Sequence, residues 1–228
     1  MTATAVTSVD SSVRSRLSTT GAAVLLLAPL LALVARVLAT PWYQDEADQP
    51  DTARYLDELA ESATRNEIGS GLAFVGAIAF VGVALVLADL VRSRMPRLAM
   101  IGGGLVIVGA FGLATVSVQS LTATQIATMD DREALLPMLD ALFRDPELGW
   151  YFIAMVLGAV GAVLLAIAMY RSRVVPRAAA VITGLGIAAV MLTAPGPLRS
   201  FVAGSAVIAT IGLGWVVVAC RSRRTAQD

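Results

Sequence analysis

Six long apolar stretches dominate this chain of 228 residues. A helix rises about 1.5 Å per residue, so roughly 20 residues cross the hydrocarbon core of a bilayer, which is about 30 Å thick. The stretches show no alternation of polar and apolar residues, which argues against the strands of a membrane barrel. The sequence therefore predicts an all-α, polytopic membrane protein: a six-transmembrane-helix bundle with two short extracytoplasmic amphipathic helices. The predicted spans are residues 20–40, 69–91, 98–120, 150–170, 178–194 and 201–220.

Short arginine-rich segments beside these spans set the expected orientation. The triplet Arg-Ser-Arg occurs at residues 14–16, 92–94, 171–173 and 221–223. Basic segments next to membrane spans stay on the cytoplasmic side during insertion. We therefore expect a multi-pass protein of the cell membrane with both termini in the cytoplasm. Residues 1–19 then form a cytoplasmic, disordered tail, and residues 221–228 form a second cytoplasmic tail.

The first apolar stretch has an alternative interpretation. Arg14 and Arg16 followed by an apolar run that ends at Ala39 also match a signal peptide, in which case residues 1–39 are removed. The run is long for the apolar part of a signal peptide, which favours a retained span.

Spacing of the triplets predicts a repeat. They begin 78, 79 and 50 residues apart, and the last interval lacks about the length of one long loop. Each unit then reads as cytoplasmic arginines followed by one span out and one span back. Either an ancestral hairpin was triplicated, or short inner loops converged on the same basic tripeptide.

The loops at residues 41–68 and 121–149 are acidic and are expected outside the cell. In the first, Asp51 is a candidate N-cap, and Tyr55, Leu56, Leu59 and Ala63 recur at helical spacing. In the second, the apolar stripe comprises Leu135, Leu139, Leu142 and Phe143. The simpler interpretation is that these loops form amphipathic helices that cap the bundle and whose acidic side chains are solvated. The more specific hypothesis is that the acidic side chains form a binding surface for a partner or a cation. Neither Asp45-Glu46-x-Asp48 nor Asp130-Asp131 has the spacing of a calcium loop, so no metal site is predicted.

Few polar side chains lie within the predicted spans. Arg36 and Asp89 are the ionisable ones. Their depth lets Arg36 extend to the outer interface and lets Asp89 pair with Arg92, one turn away. Possible intramembrane or interfacial charges are thus Arg36, Asp89 and Arg92. Thr115, Ser117 and Gln119 form a polar strip that predicts a shallow, outward-facing pocket.

Small residues at four-residue spacing predict close helix contacts, because backbones without Cβ bulk approach each other closely. The predicted faces pass through Ala154-Gly158-Ala162-Ala166, Gly104-Val108-Gly112 with Gly109 nearby, Ala180-Gly184-Ala188 and Gly204-Ile208-Gly212. These faces either hold the bundle together or leave one side for oligomerisation.

The amino-acid composition excludes many common kinds of catalytic site. All 17 basic residues are arginine, histidine is absent, and Cys220 is the single cysteine. The chain thus lacks the commonest general base and metal ligand. It also has no pair of cysteines for a disulfide or a redox motif. No catalytic residue, cofactor, metal or nucleic-acid partner is predicted, and we do not expect an enzyme.

The segments Tyr55-Leu56-Asp57-Glu58-Leu59-Ala60, Arg94-Met95-Pro96-Arg97-Leu98-Ala99 and Gly102-Gly103-Gly104 resemble uncharacterised small six-span integral membrane proteins of actinobacteria. The resemblance covers about the first half of the chain and implies no site residues. The sequence leads to a non-enzymatic accessory or scaffold protein, with a membrane-protein partner or a second copy as its binding partner. The alternative is a small-molecule or lipid carrier with a polar pocket near Gln119.

Overall fold

The computed structural model describes residues 17–38, 52–144, 149–193 and 199–225. These residues form eight α-helices, and no strand occurs among them. The predictions for residues 1–16, for Asp51 and for the side chains of Leu142 and Phe143 fall outside the described part. The helices are α1 (Thr19–Leu38), α2 (Thr52–Glu61), α3 (Ala63–Arg92), α4 (Pro96–Ala127), α5 (Arg132–Arg144), α6 (Trp150–Ser172), α7 (Arg177–Thr193) and α8 (Arg199–Thr225).

Within the described ranges, five helices are long and apolar enough to cross a membrane. They are α1, α3, α4, α6 and the segment Ala203–Ser222 of α8. The prediction of a multi-pass, all-helical membrane protein is therefore confirmed. Helix α7 has 17 residues, which corresponds to about 26 Å. Because it is shorter than the other five, the sixth span stays a prediction.

Six helices pack side by side in a closed ring. Going round the ring, α1 contacts α3, α3 contacts α4, α4 contacts α6, α6 contacts α7, α7 contacts α8, and α8 contacts α1. The shared core is built from one face of each helix and contains fully buried large residues such as Phe80, Met155 and Met191. Closure between the first and last helices depends on contacts between the two ends of the chain. The ring therefore turns one face of α1 towards the interior.

Helices α4 and α6 cross closely, because glycines from both helices meet. A Cβ atom added at Gly109 would lie 2.6 Å from the Cα atom of Gly158, and one added at Gly161 would lie 2.7 Å from the carbonyl oxygen of Gly102. Such distances require the bare backbone of glycine on both sides.

The small-residue prediction was only partly right for two of the predicted faces, those on α4 and α8. Gly112 does touch α6, but an added Cβ at Gly104 meets nothing within 4 Å, and Val108 is exposed. Similarly, Gly204 has open space around it and Ile208 is exposed, whereas Gly212 abuts Thr183. Four-residue spacing cannot choose between overlapping glycine faces on one helix.

Helices α3 and α4 extend past the thickness of a bilayer at the end opposite their connecting turn. With 30 and 32 residues they are about 45 and 48 Å long, compared with about 30 Å of hydrocarbon. The extended end of α4 packs with α2 and α5, and the extended end of α3 packs with α2. Helices α2 and α5 lie in the two long loops. We call α2, α5 and the end of α4 the outer cap. It has its own apolar core, formed by Tyr55, Leu56, Leu59, Ala123, Ile126, Ala127 and Leu139.

At the other end of the ring, two Arg-Ser-Arg triplets touch each other. The guanidinium of Arg94 donates a hydrogen bond to the carbonyl oxygen of Ser172. Arg173 ends α6 with a left-handed backbone (φ 52°), and the guanidinium of Arg177 lies 5.1 Å from the ring centre of Tyr170. The arginines of these turns therefore also contribute contacts between neighbouring hairpins.

Candidate functional site

Polar side chains cross between α3 and α4 just beneath the outer cap. The side-chain amide of Asn66 donates to the hydroxyl of Thr124 at 2.5 Å and to that of Ser120 at 3.3 Å. The hydroxyl of Ser70 donates to the same Ser120 oxygen at 2.9 Å. Asn66, Ser70 and Thr124 are all buried. Buried polar groups are costly unless they are hydrogen-bonded, so this ladder fixes how the two helices face each other.

Tyr55 of α2 joins the cap to this ladder. Its side chain is 5% exposed, and its hydroxyl interacts with that of Ser120. Burial raises the pKa of Tyr55 to about 12, although the positive charge of Arg36 and the hydrogen bond with Ser120 act in the opposite direction. The phenol therefore stays protonated at neutral pH and can donate a hydrogen bond.

Arg36 lies on the face of α1 that looks into the ring. It lines a narrow cavity together with Ala32, one turn earlier, and with residues from four other helices. The remaining lining residues are Ala73, Gly76, Ala77, Phe80, Leu113, Ser117, Val190 and Ala206. The water-accessible volume is about 30 Å³, which suffices for one or two water molecules. A cationic group is thus held against walls that are otherwise almost entirely apolar.

This position differs from the one expected for Arg36. Arg36 lies in the last turn of α1, and its side chain lines the interior cavity. A guanidinium on a flexible stem can reach either water or the protein interior from that depth. The contact of α1 with both α3 and α8 turns this particular face inwards.

The predicted polar strip is divided between two surfaces. Ser117 is buried at the cavity, where its hydroxyl donates to the carbonyl oxygen of Leu113. Thr115 instead lines an open apolar groove on the side of the bundle, between α3, α4 and α6, with Phe111 and Trp150. Gln119 is partly buried and is part of neither lining. Successive helical residues are 100° apart, so Thr115 and Ser117 point in nearly opposite directions.

The other predicted charges lie at the end of the bundle opposite the cap. Asp89 and Arg92 are both exposed. The ion pairs that the structure places among its described residues join Arg54 to Glu58 and Arg132 to Asp57, so the predicted pair between Asp89 and Arg92 is not formed. Two exposed groups gain little from pairing, because water solvates each of them well.

Polar contacts across the cap surface complete the region. Arg132 of α5 binds Asp57 of α2 at 2.6 Å, and the side-chain amide of Gln125 donates to Glu67 at 2.6 Å. Asp130 and Asp131 are exposed in the turn before α5, and Asp45, Glu46 and Asp48 lie outside the described residues.

The fold defines a multi-pass α-helical membrane protein with a polar site beneath one end of its helix ring. The chain belongs to the family described as Domain of unknown function (DUF4386), which matches residues 19–220. No curated protein and no solved structure matches the chain.

Most residues of this site were not predicted from the sequence. Asn66, Ser70, Ser120 and Thr124 were not singled out, and Tyr55 was expected only as part of an apolar stripe. The spacing of these residues along the chain could have indicated the pairing. In an antiparallel hairpin, residues at equal distances before and after the turn face each other, so the residue numbers of facing pairs have a constant sum. That sum is 190 for Asn66 with Thr124 and for Ser70 with Ser120.

Proposed function

We propose that this is a non-enzymatic accessory or scaffold protein of the cell membrane that binds a partner through its outer cap. The observation that supports this most is the separate apolar core of the cap, which holds α2 and α5 on the extended ends of α3 and α4. Spanning the membrane does not require this structure, since the connection at the same end of the ring between α7, which ends at Thr193, and α8, which begins at Arg199, is short. A rigid surface beyond the bilayer is suited to binding another protein.

The charges of the cap suggest the chemistry of such a partner. The exposed surface of α2 carries Asp57 and Glu61, and Asp130 and Asp131 are exposed at the start of α5. A partner with a basic surface would be attracted and oriented by these groups. A second copy of the chain would present the same acidic surface, so it is disfavoured at this position.

The proposal includes an orientation with both termini in the cytoplasm. It is supported by the arginines on the turns between α3 and α4 and between α6 and α7, at the end of the ring opposite the acidic cap. We expect a periplasmic-type reporter fused after residue 228 to be inactive and a fluorescent protein fused there to be active. Active alkaline phosphatase at this position would contradict the orientation.

Site-specific photo-crosslinking tests partner binding. A photoreactive residue at Met138, which is 56% exposed on α5, should give a defined crosslinked species in native membranes. The matched control is Leu185, which is 60% exposed on α7 and faces lipid in the proposed arrangement. The Met138 species should disappear when Asp57 and Glu61 are both replaced by arginine. Crosslinks of equal yield at both positions, or none at Met138, would contradict the proposal.

A small-molecule or lipid carrier is the second candidate. The cavity at Arg36 is better suited to holding a small group than to letting a substrate pass through the bundle. It has room for only one or two water molecules, and the ring of helices around it is closed. A carrier therefore requires the helices to separate, which cysteine-accessibility labelling along the inward face of α4 would detect.

A further inference from the structure

The most unusual group in the ring is the guanidinium of Arg36. A charge placed among apolar side chains within a membrane protein is unfavourable unless an opposite charge compensates it. In the part of the chain that the structure describes, Arg36 belongs to neither ion pair. Among the described residues, the cavity beside it adds Ser117 as a polar neighbour and no carboxylate. The described part of the site therefore has a positive charge and space beside it, without an anion facing that charge.

We propose that Arg36 binds a small anionic group, of the size of a carboxylate, in the cavity beneath the outer cap. This inference does not depend on partner binding by the cap. The planar fork of a guanidinium matches the two oxygens of a carboxylate, which accept two parallel hydrogen bonds. The narrow volume suits such a group and excludes a bulky ligand head.

Neighbouring residues suit the same chemistry. Tyr55 is close enough for the charge of Arg36 to act on its hydroxyl, and that hydroxyl is hydrogen-bonded with Ser120. The hydroxyl of Ser117 already donates to the carbonyl of Leu113, so its oxygen is left to accept from the guanidinium side. Phe80 and Val190 line the cavity with apolar surface, where water competes weakly for the anion.

Two sources can supply this group. One is a free, water-soluble carboxylate that enters from the outer side. The other is the carboxylate of a fatty acid, whose chain remains in the bilayer. Acetate represents the first source and palmitate represents the second, because both present the same charged group.

Calorimetry on the full chain in nanodiscs of neutral phosphatidylcholine tests the proposal. At constant ionic strength, we expect saturable binding of acetate, of palmitate, or of both. Saturation by acetate assigns a soluble source, and saturation by palmitate alone assigns a membrane source. Arg36→Gln should weaken binding at least about tenfold, because a charged hydrogen bond is lost. Arg65→Gln, which removes an exposed arginine at the start of α3, should leave it unchanged.

Melting without added anion provides a second readout. Arg36→Gln should melt at the same temperature as the parent chain or higher, because the substitution removes an uncompensated charge from the interior. If Arg36 were instead paired within the chain, Arg36→Gln would lower the melting temperature, and neither acetate nor palmitate would bind. That result overturns the proposal, as does equal binding by the parent chain and Arg36→Gln.

Discussion

Replacing Gly109 by alanine should destabilise the bundle, whereas the same change at Gly104 should not. The two glycines lie on one helix, α4, so the intrinsic gain in helix propensity from alanine, at most about 1 kcal/mol, is common to both variants. They differ in what the new methyl group meets. At Gly109 it would lie 2.6 Å from the Cα atom of Gly158 and 3.1 Å from the sulfur of Met191, whereas at Gly104 nothing lies within 4 Å.

The expected magnitude follows from these distances. Ordinary contacts of a Cβ atom are 3.4–4 Å, so α4 and α6 must separate by about 1 Å at this crossing. A gap of that size forfeits roughly a quarter to a half of the dispersion energy of the contacts along it. Overpacking of this kind costs about 1–3 kcal/mol. For a chain of this length, each kcal/mol corresponds to roughly 2–4 °C in melting temperature, so the variants should differ by about 5 °C.

Thermal unfolding of both variants in the same nanodiscs, followed by tryptophan fluorescence, measures this difference. Gly104→Ala should melt within a degree or two of the parent chain, on the order of the scatter expected for substitutions away from packed features. Equal melting temperatures for Gly109→Ala and Gly104→Ala would refute the close crossing of α4 and α6. A drop for both would mean that Gly104 also packs against protein in the membrane.

Three further outcomes are expected at the cap. Asn66→Ala should cost about 1–3 kcal/mol, because it leaves the buried hydroxyl of Thr124 without its donor, and a double-mutant cycle with Thr124→Val should recover part of this loss in melting experiments. Raising the pH from 10 to 12 should destabilise the parent chain more than Tyr55→Phe. The pKa of Tyr55 is raised in the folded state, so its contribution to stability is complete below pH 10 and is lost towards pH 12. Melting curves recorded across this pH range measure the difference. Asp57→Asn should change stability by less than about 0.5 kcal/mol, because the ion pair with Arg132 is well exposed, and a large drop in melting temperature would contradict this reasoning.

Helix content and approximate span boundaries could be predicted because they depend on local composition. An apolar run bounded by charges is visible without knowledge of its neighbours, and α6 and α7 lie within a few residues of the predicted spans. The cap ends of α3 and α4 were less visible. Residues 63–68 and 121–127 are polar enough to read as loops, yet they continue the two long helices because they pack against each other and against α2.

The polar ladder was predictable in principle from the register of one hairpin. The turn at residues 93–95 is short, so α3 and α4 run antiparallel from a fixed starting point. Asn66 and Ser70 are one turn apart on α3, and Thr124 and Ser120 are one turn apart on α4. Treating the two helices together pairs these residues, whereas a hydroxyl considered alone can bond either to a carbonyl of its own helix or to a neighbouring helix.

Arg36 required information that no single helix carries. Its depth follows from counting residues along α1, but its direction does not, because the helix is apolar on every side and so has no polar face to mark the outside. The direction is set when α1 closes the ring between α3 and α8, contacts that join the beginning of the chain to its end. A charge that looked free to reach the interface is thereby turned towards Phe80 and Ser117. The same closure turns the charge inwards and forms the cavity beside it, so the proposed anion site requires the assembled ring.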